Sequence, residues 1–241
     1  MKIINDISLS PEENLAMDEL LLLKAENGEG GETLRFWEQN EYFVVVGRSG
    51  KVEEECFMPV CLKDGVKVLR RFSGGGTVLQ GKGCLNYSAV LSYSRNEKFR
   101  NIEFSYESIM KSISEEFSRK GIEAEFLPIS DLAVGGRKFS GNAQARKKKY
   151  FLHHGTVLYG MDIEKIARYI KHPPKEPEYR TSRAHDDFLT NIPFLAKDIK
   201  EVIQRALTSG GSNWKVPCEY TKELAEIVGK KYSQNSWNFC F

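Results

Sequence analysis

The chain has 241 residues, 41% of them hydrophobic and 28% charged, with a net charge of +2. That composition suits a soluble globular domain able to bury its own core, and its near-neutral balance makes no case for nucleic acid as a partner. No run reaches the roughly 18 apolar residues of a membrane helix, and the N-terminus lacks the layout of a signal peptide. The five cysteines show no CxxC spacing, which argues against a disulfide framework or zinc site and for a reducing cytoplasm.

Ser10-Pro11-Glu12-Glu13 supplies a cap, a first-turn proline and first-turn acids, and predicts a helix to about Ala25 that ends in the glycine-rich residues 27–31. Residues 34–37 and 42–46 read as buried strands, and 66–70 is expected to continue the same sheet. Leu85, Tyr87, Ala89, Leu91 and Tyr93 alternate like one face of a further strand. Tyr106, Ile109, Met110, Ile113 and Phe117 recur at helical spacing before Gly121 and predict a core-facing helix. Strands are expected at 123–128 and 150–159, and an amphipathic helix at 163–170, stopped by His172-Pro173-Pro174. The polar loop at 175–189 is long for a connector and is expected to act as a lid. Helices at 199–207 and 221–228 close the chain. With no repeat or linker, the reading is α+β: one domain over 1–241 with helices packed on a mixed sheet.

Three segments carry the candidate chemistry. Arg70-Arg71-Phe72-Ser73-Gly74-Gly75-Gly76-Thr77 sets three glycines beside two arginines. Backbone N–H groups there can converge on an anion, or a slender chain can lie against bare backbone. The segment is neither a Walker loop nor a dinucleotide fingerprint. Neighbours on a strand face opposite ways, so one arginine should enter the site and the other leave it. Gly135-Gly136-Arg137-Lys138-Phe139-Ser140-Gly141-Asn142-Ala143 places one lysine, a point charge for carboxylate or phosphate oxygens, among small residues. His153-His154-Gly155-Thr156 lies on a strand, and His172 and His185 sit in unrelated segments, so no metal centre is expected there. Arg146-Lys147-Lys148-Lys149 reads as a solvated hairpin tip, or more sharply as a docking patch for an acidic partner.

In this order the segments resemble the lipoate–protein ligase family within the wider biotin/lipoate ligase group. The likeness runs from Asn14-Leu15-Ala16-Met17-Asp18 to Asn191-Ile192-Pro193. It implies a catalytic domain of that fold, which uses ATP and Mg²⁺ to activate lipoate or octanoate as an acyl-adenylate. The acyl group would pass to a lysine of a lipoyl carrier domain, such as a 2-oxoacid dehydrogenase E2 or the glycine-cleavage H protein. The resemblance makes Lys138 the catalytic residue. It assigns acyl binding to Arg70, Ser73, Gly74, Gly75, Gly76, Thr77 and Asn86, and to Gly141, Asn142, Ala143, His154, Gly155 and Thr156. Arg180 and Arg183 would clamp the adenylate, and Asp131 would orient Lys138 or help hold Mg²⁺.

There are departures from the family pattern. Gln80-Gly81 stands where many members carry His-Asp, and Cys84 replaces a common asparagine before Leu85-Asn86. The C-terminal accessory domain of longer members is not expected here, which implies that a separate accessory-domain protein can be needed. The alternative is an octanoyltransferase of the same fold that works through a cysteine thioester, for which Cys84 is the cysteine nearest a motif. The intact lysine and glycine segments argue against a non-catalytic lipoyl-binding module, and the missing Gly-Arg-Gly-Arg signature argues against a biotin ligase.

Overall fold

The computed structural model describes residues 1–5, 8–208 and 210–241. Its first helix, α1 (Pro11–Glu26), starts where the sequence suggests. Ser10 Oγ accepts from the Glu13 N–H at 3.2 Å while the Glu13 carboxylate accepts from the Ser10 N–H at 2.8 Å, so two donors at the helix start are satisfied reciprocally. The other helices are α2 (Val52–Glu55), α3 (Met58–Lys63), α4 (Ile102–Arg119), α5 (Ile163–Tyr169), α6 (His185–Phe188), α7 (Ala196–Leu207), α8 (Cys218–Ile227) and α9 (Asn235–Asn238). The strands are β1 (Lys2–Ile4), β2 (Thr33–Trp37), β3 (Phe43–Val46), β4 (Lys67–Arg70), β5 (Val78–Gln80), β6 (Cys84–Ser92), β7 (Glu125–Leu127), β8 (Asp131–Val134), β9 (Arg137–Arg146), β10 (Tyr150–Leu158) and β11 (Ser212–Asn213).

Eight strands form a mixed sheet in the order β11–β1–β2–β6–β10–β9–β8–β7, parallel at β11–β1–β2 and antiparallel elsewhere. One face is covered by α4 and α7, whose Ile109, Ile113, Phe117, Ile199 and Ile203 meet Leu85, Tyr87 and Phe139. The other face lies under α1, where Leu15, Leu21 and Leu22 pack with Val90 and Leu152.

β4 does not continue this sheet as expected; it joins a second one, ordered β4–β3–β5. The reason lies in β3, which is buried on both faces: Phe43 and Val45 pack beneath α1, whereas Val44 and Val46 pack with residues of α2, α3 and α5. A strand enclosed on both faces reads as a plain apolar run, and such a run does not say which sheet it belongs to. Among the described residues no helix is long and apolar enough to cross a membrane.

Candidate active site

The β9–β10 register sets two of the motifs side by side: Gly141 pairs with Thr156, Asn142 with Gly155 and Ala143 with His154. On the far side of β10, Gly155 faces Tyr87 and Thr156 faces Asn86. The glycine segment, running from β4 to β5, closes on this surface, with Ser73 Oγ 2.7 Å from His154 Nε2. Between them lies a cavity of about 150 Å³. It brings together Ser73, Gly75, Gly76, Thr77, Asn86, Asp131, Lys138, Gly141, Asn142, Ala143, His154, Gly155 and Thr156. Leu15, Trp37, Val45, Phe72 and Val78 add an apolar wall that sequence reasoning missed, since each looks like an ordinary core residue. Asp18, the last residue of the Asn14–Asp18 motif, was missed too; it borders the cavity, and its carboxylate pairs with Arg35 at 2.7 Å.

Lys138 Nζ lies 2.8 Å from Asp131 Oδ1, and Asp131 Oδ2 accepts from the Tyr179 hydroxyl at 2.7 Å. The lysine chain crosses the bare face of Gly141, where a Cβ would come within 2.8 Å of Nζ. Burial, reinforced by the Asp131 carboxylate, raises the Tyr179 pKa, so the phenol is a neutral donor. Both oxygens of the Asp131 carboxylate are thus engaged, one by the lysine and one by the phenol. Among the described residues no group of three or more His, Cys, Asp and Glu side chains could hold a metal ion.

A buried polar network underlies the cavity. Tyr87 OH donates to Asn142 Oδ1 at 2.6 Å and lies 3.2 Å from His153 Nε2, while Gln144 Nε2 is 3.2 Å from His153 Nδ1. Asn142 Nδ2 donates to Ser130 O at 2.8 Å. Burial pushes both His153 and His154 down to about 3, so both rings are neutral near pH 7.

The two arginines do face opposite ways, but the inward one is Arg71. It lines the cavity and holds the glycine segment from below, donating to Gly74 O at 2.6 Å and to Gly76 O at 2.8 Å. Burial pushes its guanidinium down to about 10, which leaves it cationic near pH 7. Arg70 is turned away and is fully engaged elsewhere. Gly74 is also outside the lining, its carbonyl occupied by Arg71.

The loop at 175–189 is docked rather than open. Thr190 N–H donates to Lys138 O at 2.9 Å, and Arg137 Nη2 donates to Asp186 O at 2.6 Å. Thr181 and Ser182 adopt left-handed φ of 51° and 58°, a strained turn tied down by Glu176 accepting from Ser182 N–H at 2.9 Å. Arg183 fastens this loop, donating to Gly136 O, Tyr179 O and Arg180 O. Arg180 differs. Its Nη2 is buried without a hydrogen-bond partner among the described residues. The side chain borders a smaller cavity of about 100 Å³ that shares Thr77, Lys138 and Gly141 with the first. At the β9–β10 turn, Arg146 folds inward onto Phe99 O and Gln144 Oε1, leaving Lys147, Lys148 and Lys149 exposed.

Cys84 lies beneath the site. It is 1% exposed, its thiol donates to Gln80 Oε1 at 3.4 Å, and burial pushes its pKa up to about 12. Cys56 and Cys61 are buried in the same hydrophobic cluster, and Cys218 and Cys240 are exposed. Among the described residues no cysteine lines either cavity.

Residues 10–209 match the family model described as the lipoyl protein ligase A/B catalytic domain. The octanoyltransferase LipM of Carboxydothermus hydrogenoformans is 31% identical over 267 aligned residues, covering 100% of this chain and 98% of that protein. A protein named probable lipoate-protein ligase A, from Mycoplasma pneumoniae, is 35% identical over 157 residues; these cover 65% of this chain and 45% of that protein, less than half its length. A solved structure of a bi-partite lipoate protein ligase from Thermoplasma acidophilum has a TM-score of 0.84, covering 99% of this chain and 96% of that one at 21% identity, a likeness of fold.

Proposed function

This chain belongs to the lipoyl protein ligase A/B catalytic-domain family, and on that premise we propose that it is an ATP-dependent lipoate–protein ligase. The apolar tail of lipoate or octanoate lies along Leu15, Trp37, Val45 and Phe72, and the carboxylate points to Lys138. A carboxylate oxygen attacks the α-phosphorus of ATP, the bond to pyrophosphate breaks, and acyl-AMP forms. Lys138 stabilises the charge that gathers on carboxyl and phosphoryl oxygens, and the free Arg180 Nη2 is a further donor beside it. The docked 175–189 loop keeps water from the hydrolysis-prone intermediate. The neutral amine of a carrier lysine then attacks the acyl carbon, the bond to AMP breaks, and the amine proton leaves to solvent. Lipoyl domains of E2 type or H protein are the acceptors, with an accessory-domain protein as a further partner.

The observation that carries this reading is the cavity lining: it sets Lys138 and apolar side chains round one cavity, with no thiol among the described lining residues. The second reading is an octanoyltransferase acting through a Cys84 thioester. It is favoured by the LipM relative, which matches along almost its full length. A thiol held near pKa 12 and bonded to Gln80 is a poor nucleophile at neutral pH. Mass spectrometry of the chain after incubation with an octanoyl donor, and of Cys84→Ser beside it, separates the two. The ligase reading expects no adduct; a hydroxylamine-labile octanoyl group on Cys84 that is lost in Cys84→Ser would overturn it.

A further inference from the structure

Arg70 sits next to the cavity-lining Arg71, yet its guanidinium serves another part of the chain. Nη1 donates to Gly47 O at 2.8 Å, Arg48 O at 3.2 Å and Gly50 O at 2.7 Å. Nε donates to Trp237 O at 3.1 Å and Nη2 to Asn238 O at 3.1 Å. The main chain of Arg70 is held from the same side: its N–H donates to Asn238 Oδ1 at 2.9 Å, and its carbonyl accepts from Trp237 Nε1 at 2.9 Å. The side chain is fully buried, so a five-donor fork with no route to water is satisfied almost wholly by backbone carbonyls of two remote segments. One of those segments, the 47–50 turn, abuts the glycine segment. Arg48 N–H donates to Ser73 O at 2.8 Å, and a Cβ on Gly47 would collide with Gly75 O.

We propose that Arg70 and the α9 residues Trp237 and Asn238 form a positioning unit for the glycine segment. The contacts form one chain: α9 fixes Arg70, Arg70 gathers the carbonyls of the 47–50 turn, and that turn sets the height of Ser73–Gly75 over the cavity. Residues near the C-terminus thereby act on a site that they do not touch. Arg70 is a positioning residue, not a ligand of the substrate. The kinetic consequence rests on the acyl-site reading of the cavity, whereas the coupling itself does not.

Trp237→Phe tests this with minimal disturbance, because it removes the indole donor to Arg70 O and keeps an aromatic ring. Arg70→Lys keeps the charge and removes the fork. Two readouts are paired. One is amide hydrogen exchange at Arg48, whose N–H is bonded to Ser73 O, against the α4 amides of Ile109 and Ile113 as a global control. The other is KM for lipoate against KM for ATP. The proposal expects Arg48 exchange in Trp237→Phe to quicken roughly 5-fold, the scale of one lost buried hydrogen bond, with the α4 amides unchanged. It expects lipoate KM to rise by a similar factor with ATP KM unmoved, and both effects to be larger in Arg70→Lys. Unchanged Arg48 exchange in folded Trp237→Phe overturns the proposal, as does acceleration spread evenly over Arg48 and α4, which would mark general destabilisation. Wild-type protein that does not use lipoate would sink the functional reading instead, and the exchange measurement would still decide the coupling.

Discussion

Replacing Gly155 with Ala would drive a methyl group into Asn142 Oδ1 and place it 2.7 Å from Asn142 Cγ, with Tyr87 Cε1 3.0 Å away. Both obstacles belong to buried side chains, so neither can swing out into water. Asn142 must move, giving up the 2.6 Å bond from Tyr87 OH and its own 2.8 Å donation to Ser130 O. Each buried group left unsatisfied costs about 1–3 kcal/mol, so two come to about 2–6 kcal/mol. At about 2–4 °C per kcal/mol for a chain of this size, the melting temperature should fall by about 4–24 °C. Because Asn142 lines the cavity, lipoate affinity should fall with it. Calorimetric unfolding of Gly155→Ala, Asn142→Ala and the double mutant is the assay. Asn142→Ala removes the obstructing amide, so the double mutant should be no less stable than Asn142→Ala alone, a coupling as large as the whole Gly155→Ala cost of about 2–6 kcal/mol. A Gly155→Ala protein melting within about 2 °C of wild type and binding lipoate normally would refute the reasoning.

Gly75 has φ of +89°, and a Cβ there would meet Arg71 Nη2 at 2.9 Å; Gly75→Val should weaken lipoate binding at least about 10-fold by titration, with only a few degrees lost in melting temperature. Tyr179→Phe removes the hydroxyl from Asp131 and should loosen the docked loop, seen as faster exchange of the Thr190 amide and a several-fold lower kcat; unchanged exchange would count against the latch. His153 titrates near 3 in the fold against 6.5 when free, so below pH 6.5 the unfolded chain binds a proton that the folded chain refuses. Stability should accordingly drop as pH falls from 6.5 towards 3, and His153→Asn should reduce the slope of urea-measured stability in that window by about 1.4 kcal/mol per pH unit.

The motifs were legible because each is a local device. Glycines flanking Lys138 and the His154-Gly155-Thr156 run mark close backbone approach, and strand pairing was enough to bring the two together. What escaped depended on remote packing. Alternation along β4 showed that the two arginines diverge, but which one turns inward is decided by Trp237 and Asn238, more than 160 residues away, for which no local signal exists. The membership of β4 in a second sheet was hidden for a related reason, since β3 is apolar on both faces. The cavity wall of Leu15, Trp37 and Val45 is chemically indistinguishable from core until the cavity is seen. The docking of the 175–189 loop relies on left-handed Thr181 and Ser182, residue types that give no warning of positive φ.

The most direct measurement of the central claim is calorimetric titration of the purified chain with a hydrolysis-resistant lipoyl-adenylate analogue and with lipoate alone. On the proposed ligase reading the adenylate would carry both the tail for the apolar wall and the phosphoryl oxygens for Lys138 and Arg180, whereas a thioester-forming transferase has no use for the nucleotide. The account predicts one-to-one binding at least about 10²-fold tighter for the analogue than for lipoate, with most of that gain lost in Lys138→Ala. An analogue that binds no better than lipoate, or equally well to wild type and Lys138→Ala, would contradict it.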